Sequence, residues 1–212
     1  DFLAHPELYD IARITAFEDR GAYLYLAGDC SKSYRKSKLE SFTRQIVYFR
    51  PGTFVIFDRV RGTRPEFAKT WLLQAMKKPL ELPDGRLALD NGNGRLFVQT
   101  LLPKQPTVHL VSGDDLYRID GVAHLPDHDV GPAPECRVEV SPTKPAREDF
   151  FLHVLTTVDS GTENVPVASV EEKGSQVRVR IGDYAVLFEK TKDGGAVVLN
   201  GQSAPLATGI IE

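Results

Sequence analysis

Two histidines and two aspartates fall within six positions of the sequence, at His124, Asp127, His128 and Asp129. Imidazole and carboxylate groups are ligands of zinc and other transition metals, so this segment is a candidate metal site. However, Pro126 opposes the helix that the His-x-x-x-His spacing needs to align both rings on one ion. We therefore expect a solvated loop here and predict no zinc cofactor.

A basic stretch with a tyrosine follows Asp29, and it contains Tyr34, Arg35, Lys36 and Lys38. Guanidinium and ammonium groups pair well with carboxylate or sulfate groups, and such a loop can steer an anionic chain toward a protein. We predict that Tyr34, Arg35 and Lys36 bind substrate. The alternative is a solvated basic loop between two strands.

The remaining candidates for chemistry stand alone in the sequence. His109 and His153 each lie inside an apolar, strand-like run, which is typical of a core residue or of the solvent-facing member of a strand. The loop carboxylates Asp114 and Asp115 could bind calcium, but they lack the spacing of a calcium-binding loop. We therefore predict no catalytic residue and no calcium cofactor from these positions.

Charged residues surround a turn at Pro51–Gly52, namely Arg44, Arg50, Asp58 and Arg59. The segments on either side are rich in β-branched and aromatic residues, which predicts a hairpin. We interpret the four charges as structural pairs across the strand ends.

Trp71 is the single tryptophan of the chain and lies in an apolar run, so we expect it in the core. Cys30 and Cys136 have neither metal-binding nor redox spacing, and we prefer two free thiols, although a disulfide between them stays open.

Short apolar segments with period-two alternation recur along the chain, with Gly, Asn and Asp between them. The segment Phe150–Thr157 is almost continuously apolar, which predicts a strand buried on both faces. We predict an all-β fold with little helix, a large antiparallel two-layer β-sandwich, with strands at Ile11–Phe17, Tyr23–Ala27, Phe42–Phe49, Phe54–Val60, Phe67–Met76, Arg86–Leu89, Leu96–Leu102, Thr107–Val111, Arg137–Val140, Phe150–Thr157, Val177–Ile181, Tyr184–Glu189 and Ala196–Asn200.

The length of 212 residues suits one large β domain, and we assign residues 1–212 to a single β-sandwich domain. The formal net charge is −3, so the chain has no excess of positive charge that would favour binding to a nucleic acid. No apolar run approaches the ~20 residues that span a membrane as a helix. We therefore expect neither nucleic-acid nor membrane partners.

Several segments, in this order and spacing, resemble the β-sheet domain of heparinase II/III-like polysaccharide lyases. The resemblance covers about residues 20 to 160 and rests on Gly28–Asp29 with Tyr34, the hairpin at 44–60, Lys69–Gln74, Gly94–Leu96 with Leu101–Pro103, and Asp149–Leu155. It implies that the chain is the C-terminal part of a larger lyase, in which an α/α toroid precedes the sheets. It also implies a periplasmic or secreted location.

Enzymes of this family cleave acidic polysaccharides such as heparin, heparan sulfate or alginate by β-elimination. The resemblance places their catalytic tyrosine in the toroid, and a catalytic histidine and any zinc site in a His- and Asp-rich segment at the start of the sheets. No such segment precedes Gly28, and His5 does not match it. We therefore expect the sandwich to support elimination without carrying the main catalytic residues.

Two other functions stay open at this point. A stand-alone carbohydrate-binding module is one, although the seven tyrosines form no evident cluster in the sequence. A structural or interaction domain without a ligand is the other, because one fold hosts many functions. The identity of the polysaccharide is likewise open.

Overall fold

The hairpin around Pro51–Gly52 organises the largest sheet of the protein. In the computed structural model, which describes residues 11–119, 121–125 and 131–211, the two arms of this hairpin pair antiparallel along their whole length. Two short 3-10 helices, Ser31–Ser33 and Gly113–Tyr117, are the helical segments of the described residues. No helix within these ranges is long and apolar enough to cross a membrane.

The described residues form eighteen strands, most of which coincide with the apolar segments of the sequence. The strands are β1 (Arg13–Asp19), β2 (Tyr23–Asp29), β3 (Leu39–Phe49), β4 (Thr53–Gly62), β5 (Trp71–Ala75), β6 (Leu80–Glu81), β7 (Leu87–Asn91), β8 (Gly94–Leu102), β9 (Thr107–Ser112), β10 (Arg118–Ile119), β11 (Val122–Ala123), β12 (Cys136–Ser141), β13 (Glu148–Asp159), β14 (Ser169–Lys173), β15 (Gln176–Ile181), β16 (Tyr184–Glu189), β17 (Gly195–Leu199) and β18 (Gln202–Pro205).

Eight of these strands form the large sheet, in the order β1-β2-β3-β4-β13-β8-β7-β6. β13 lies between β4 and β8, and its residues from Phe151 to Val154 are all buried. This confirms the strand that the continuous apolar run predicts, because a central strand covered on both faces has no solvent-facing side.

A five-stranded sheet, β14 to β18 in sequence order, packs on one face of the large sheet and is called the meander sheet below. Val177, Val179 and Ile181 alternate toward the shared core, where they join Tyr25 and Phe57 of the large sheet. The strict alternation of β15 therefore encodes one buried and one solvated face. The predicted all-β sandwich is confirmed.

A third sheet of three strands, in the order β5-β12-β9, covers part of the opposite face of the large sheet and is called the small sheet. Its Trp71, Val138 and Val140 pack against Phe151 and Val98 of β13 and β8. Trp71 is 5% exposed, which confirms its place in a core. This partial third layer is absent from the sequence-based prediction, which described two layers.

A buried polar cluster fixes the loop before β17 to the large sheet. Arg59 pairs with Asp193, and the Gly194 backbone N–H donates to the Tyr25 hydroxyl at 3.0 Å and to Gln45 Oε1 at 2.9 Å. Tyr25 and Gln45 are fully buried between the two sheets, so the hydrogen bonds from Gly194 satisfy polar groups that would otherwise be buried without a partner.

The segment 206–211 runs along the outer edge of β1. The Phe17 N–H donates to the Gly209 carbonyl at 3.2 Å, and the Ile211 N–H donates to the Phe17 carbonyl at 2.8 Å. The buried carboxylate of Glu18 accepts from the Ala207 N–H at 3.1 Å. These contacts give the large sheet a short parallel extension beside its first strand.

The hairpin charges are engaged in ion pairs, as the sequence suggests for structural residues. Arg44 and Asp58 face each other in the register of β3 and β4 and form the predicted cross-strand pair. Arg50 and Arg59 find partners outside the hairpin, Arg50 with Asp19 of β1 and Arg59 with the loop before β17. Long guanidinium side chains reach beyond the adjacent strand, so the hairpin sequence alone does not specify these partners.

Both cysteines are free thiols, as preferred from their spacing, with Cys30 half-buried and Cys136 buried. Of the candidate metal segment, Asp127, His128 and Asp129 lie outside the described residues, and His124 is exposed. Within the described ranges, no group of three or more histidine, cysteine or acidic side chains is arranged to hold a metal ion.

Candidate functional site

A groove of about 550 Å³ opens where three separate parts of the chain meet. The loop after β2, the outer face of β3 and β4, and the segment that leads into β5 each supply one side of it. Its lining includes Tyr34, Lys38, Leu39, Phe42, Arg44, Asp58, Val60, Phe67, Lys69, Thr70, Trp71, Leu72 and Phe151. The groove thus combines aromatic and apolar walls with several cationic side chains.

The Arg44–Asp58 pair forms the charged part of the groove floor. Arg44 Nε donates to Asp58 Oδ1 at 2.7 Å, and a terminal nitrogen of Arg44 donates to Oδ2 at 2.6 Å, so the two planar groups meet as a fork. The pKa of Arg44 is raised because its charged form donates both bonds. Burial raises the pKa of Asp58, whereas the two hydrogen bonds from Arg44 act in the opposite direction.

The rim of the groove comes from the loop between β2 and β3. Tyr34 is 53% exposed, and its ring meets Phe42 edge to face with centroids 5.9 Å apart. Across the loop, the Lys38 ammonium lies 5.8 Å from the centroid of the Phe67 ring. The rim therefore presents an accessible tyrosine and an accessible cation side by side.

The wall opposite the rim is held by Lys69, whose side chain is largely buried. Its ammonium pairs with Asp149 of β13 at 2.8 Å and donates to the Ala146 carbonyl. These contacts fasten the segment before β5 to the loop before β13. Lys69 thus gives the groove a rigid side, and its charge is already matched by a carboxylate.

Behind this wall, the His153 ring stacks on Trp71 with centroids 3.8 Å apart and is fully buried. Its Nδ1 lies 3.2 Å from the Thr100 hydroxyl, and among the described residues its Nε2 has no hydrogen-bond partner. Burial, with a smaller contribution from the Arg44 charge, lowers the pKa of His153 to about 3. The ring is therefore neutral near pH 7 and belongs to the core, as the isolated position in an apolar run suggests.

The three residues predicted to bind substrate do not all lie in the groove. Tyr34 lines the groove, whereas Arg35 and Lys36 are exposed on the same loop and do not line it. Lys38, four residues after Tyr34, does line it. The loop therefore presents cations both inside the groove and above its rim.

Arg44, Asp58 and Lys69 also line the groove, although the sequence does not mark them as site residues. Arg44 and Asp58 fit a structural charge pair, and Lys69 lies in a family-like motif. No local pattern marks these residues, because the groove forms when the segment before β5 folds back over β3 and β4.

Comparison with known proteins shows where this architecture recurs. No family model matches the sequence, and no curated protein matches it. Among solved structures, the heparan sulfate lyase HepC from Pedobacter heparinus matches with a TM-score of 0.55 and 15% identity. A heparinase III matches with a TM-score of 0.59 and 12% identity.

The chain shares its fold with part of these lyases. In both comparisons the match covers 92% of this chain and 27% of the neighbour's chain, so this chain spans about a quarter of the length of the neighbours. The resemblance found in the sequence motifs is thus confirmed at the level of the fold.

The groove can bind an anion more readily than it can move a proton. Lys38 offers a positive charge at the rim, and Tyr34 offers a ring face and a hydroxyl group. The His153 imidazole is fully buried behind Trp71, and the Asp58 carboxylate is hydrogen-bonded to Arg44, so neither group is free to accept a proton from a ligand in the groove. Among the described groove residues, the charged and aromatic groups therefore suit recognition of an acidic ligand.

Proposed function

We propose that this chain is the β-sandwich part of a heparinase II/III-like polysaccharide lyase. In this role it supports β-elimination of a uronate-containing acidic polysaccharide, of the heparin, heparan sulfate or alginate type, without carrying the main catalytic residues. The observation that carries the proposal is the fold likeness to heparan sulfate lyase and heparinase III over 92% of the chain. The cationic, tyrosine-bearing groove on that fold supports it further.

The chemistry of β-elimination explains what the groove would contribute. The reaction removes a weakly acidic proton beside a uronate carboxylate and expels the glycosidic oxygen, so it needs a base and a group that neutralises the carboxylate. Tyr34 and Lys38 at the rim, together with Arg35 and Lys36 above it, bind the acidic chain. The sandwich thereby forms one wall of the substrate cleft.

The remaining catalytic parts belong to an α/α toroid that precedes the sandwich in the same polypeptide. The coverage of 27% of the neighbours' length leaves room for such a domain. A periplasmic or secreted location follows from the same proposal, because a polymer-degrading enzyme must meet its polymer.

The test is a double substitution, Arg35→Ala with Lys36→Ala, in the intact polypeptide that contains this chain. We expect the KM for heparan sulfate or alginate to rise several-fold with kcat unchanged, because the loop contributes binding equally to the ground and transition states. Added salt should shrink the difference, since exposed charges are screened. The control is Arg180→Ala, a basic residue exposed on the meander sheet.

An unchanged KM in the double variant would remove the loop from the substrate site. Robust formation of unsaturated uronate product by the 212-residue chain alone would refute the assignment of catalysis to another domain. Tight binding of either polysaccharide to a chain that has no further domain would favour the alternative, a stand-alone carbohydrate-binding module.

A further inference from the structure

The loop that carries Tyr34 is fixed to the large sheet, although its sequence is rich in serine and lysine. It spans residues 30–38 between β2 and β3 and is called the rim loop below. Segments rich in serine and lysine are typical of chain that stays solvated and disordered. In this protein, however, hydrogen bonds hold the rim loop at its beginning, in its middle and at its end.

Asp29 and Ser31 form the anchor at the beginning of the rim loop. The Ser31 hydroxyl donates to Asp29 Oδ1 at 2.6 Å, and the Ser31 N–H donates to the same oxygen at 3.0 Å. These two bonds, that from the hydroxyl foremost, hold the pKa of Asp29 below its ordinary value. The acceptor is therefore an ionised carboxylate near pH 7, and hydrogen bonds to an ionised group are stronger than those between neutral groups.

The same anchor reaches Phe42 on β3. The Phe42 N–H donates to the Ser31 hydroxyl oxygen at 3.0 Å, and the Phe42 carbonyl accepts from the Cys30 N–H at 2.8 Å. The Phe42 ring in turn meets the Tyr34 ring edge to face. Both the backbone and the ring of Phe42 therefore hold the rim loop, which couples Asp29 to the position of Tyr34.

Two further contacts fix the rest of the rim loop. The Ser33 hydroxyl donates to the Ile11 carbonyl at 3.0 Å, and the Thr63 hydroxyl donates to the Ser37 carbonyl at 2.7 Å. The Thr63 N–H also donates to the Lys38 carbonyl at 3.0 Å. The three residues assigned to substrate binding thus lie between two fixed points of the chain.

We propose that Asp29 and Ser31 are positioning residues, which hold the rim loop in its substrate-binding shape before an acidic ligand arrives. This inference rests on the proposed function, since both residues act through the side chains of the rim loop. A loop that is already ordered loses less conformational entropy on binding, so it binds a ligand more tightly than a mobile loop with the same side chains. The Asp29 carboxylate repels an acidic ligand, so its contribution comes from the shape of the loop and not from contact.

The test compares Asp29→Leu with Asp29→Asn in the intact polypeptide that contains this chain. Both variants remove the same negative charge, but only asparagine keeps an oxygen that accepts the two hydrogen bonds from Ser31. We expect Asp29→Leu to raise the KM for heparan sulfate or alginate about threefold to tenfold with kcat unchanged, because the ligand must then order the loop. Asp29→Asn should leave the KM within about twofold of the parent value. Loss of the charge alone predicts the opposite result, a lower KM in both variants.

Asp19→Leu is the matched control. Asp19 lies at the other end of β1 and accepts from the Gly21 N–H at 2.9 Å, with the same two-residue spacing as Asp29 and Ser31. This variant should leave the KM unchanged. Ser31→Ala removes only the hydroxyl between Asp29 and Phe42, so it should raise the KM in the same direction and gives the result if Asp29→Leu does not fold.

A double-mutant cycle shows whether Asp29 acts through the rim loop. In a background with Arg35→Ala and Lys36→Ala, Asp29→Leu should raise the KM by a smaller factor than in the parent, because two of the side chains that it positions are gone. An equal factor in both backgrounds would indicate general damage to the groove and would overturn the inference.

Proteolysis separates this inference from the proposed function. Trypsin cuts after Arg35 or Lys36 only when the loop leaves its place, so Asp29→Leu should speed that cleavage several-fold relative to cleavage after Lys104, between β8 and β9. A raised KM in the Arg35→Ala, Lys36→Ala variant, with an unchanged KM in Asp29→Leu, refutes the positioning role alone. An unchanged KM in the Arg35→Ala, Lys36→Ala variant, with faster cleavage in Asp29→Leu, refutes the substrate role of the loop and leaves the anchor as a structural contact.

Discussion

Acidification should destabilise this fold through His153 before the ring itself gains a proton in the folded state. The ring is fully buried against Trp71, and burial with the nearby Arg44 charge lowers its pKa from 6.5 to about 3. In the unfolded chain the same ring takes up a proton near its ordinary pKa of 6.5. Between pH 6.5 and about pH 3, the unfolded state therefore binds a proton on His153 that the folded state does not bind.

The magnitude follows from proton linkage. A depressed pKa in the folded state contributes stability above the unfolded pKa, and this contribution is lost as the pH falls toward the folded pKa. Between pH 8 and pH 5 the loss is about 2 kcal/mol for a group that titrates only in the unfolded chain. A shift of that size is a large part of the 5 to 15 kcal/mol that is typical of a domain.

The assay is urea unfolding of the parent and of His153→Gln at pH 8, 6.5 and 5, which compares the pH dependence of the free energy of unfolding. The glutamine variant should lose about 2 kcal/mol less than the parent between pH 8 and pH 5, whatever its stability at pH 8. His109→Gln is the control, because that side chain is exposed on β9. If His153→Gln and the parent show the same pH dependence, the buried neutral imidazole is refuted.

Three further predictions concern the core. Gly195→Ala should lower the free energy of unfolding, measured in urea, by about 3 kcal/mol or more. The reason is that the added Cβ would lie 1.8 Å from the Leu187 backbone oxygen of β16. Gly174→Ala is the control, because no atom lies within 4 Å of the added Cβ there. Asp193→Ala should cost about 2 kcal/mol by removing the carboxylate that pairs with the half-buried Arg59 guanidinium. Asp90→Ala, in a more exposed pair, should leave the unfolding midpoint unchanged. The Cys136 thiol, whose pKa burial raises, should react with a thiol reagent only on unfolding, and fast reaction of the native chain would contradict the described core.

The strands of this protein are largely predictable because their signals are local. The alternation of Val177, Val179 and Ile181 identifies β15 within one residue, and the run at Phe150–Thr157 identifies the central strand β13. Each signal arises from a strand that buries one face or both, so the pattern needs no knowledge of the partner. Weak strands such as β18 lack that signal because all four of their residues are exposed.

The small sheet and the groove could not be predicted in the same way. β5 pairs with β12, some 65 residues later in the chain, and no local pattern specifies that distant pairing. Tyr34 could be found from its place in a basic loop. Lys69 could not, because its role depends on the carboxylate of Asp149 from another part of the chain.

The segment that lies along β1 ties the beginning of the large sheet to residues made about 190 positions later. Phe17 directs its backbone N–H and carbonyl outward, and Gly209 and Ile211 satisfy them. During synthesis on the ribosome, this edge remains unpaired by the segment until residue 211 has emerged. Unpaired edges invite pairing with other chains, so the nascent protein is more prone to aggregation before this segment is made. Stalled or truncated translation products should therefore be the species that chaperones must hold.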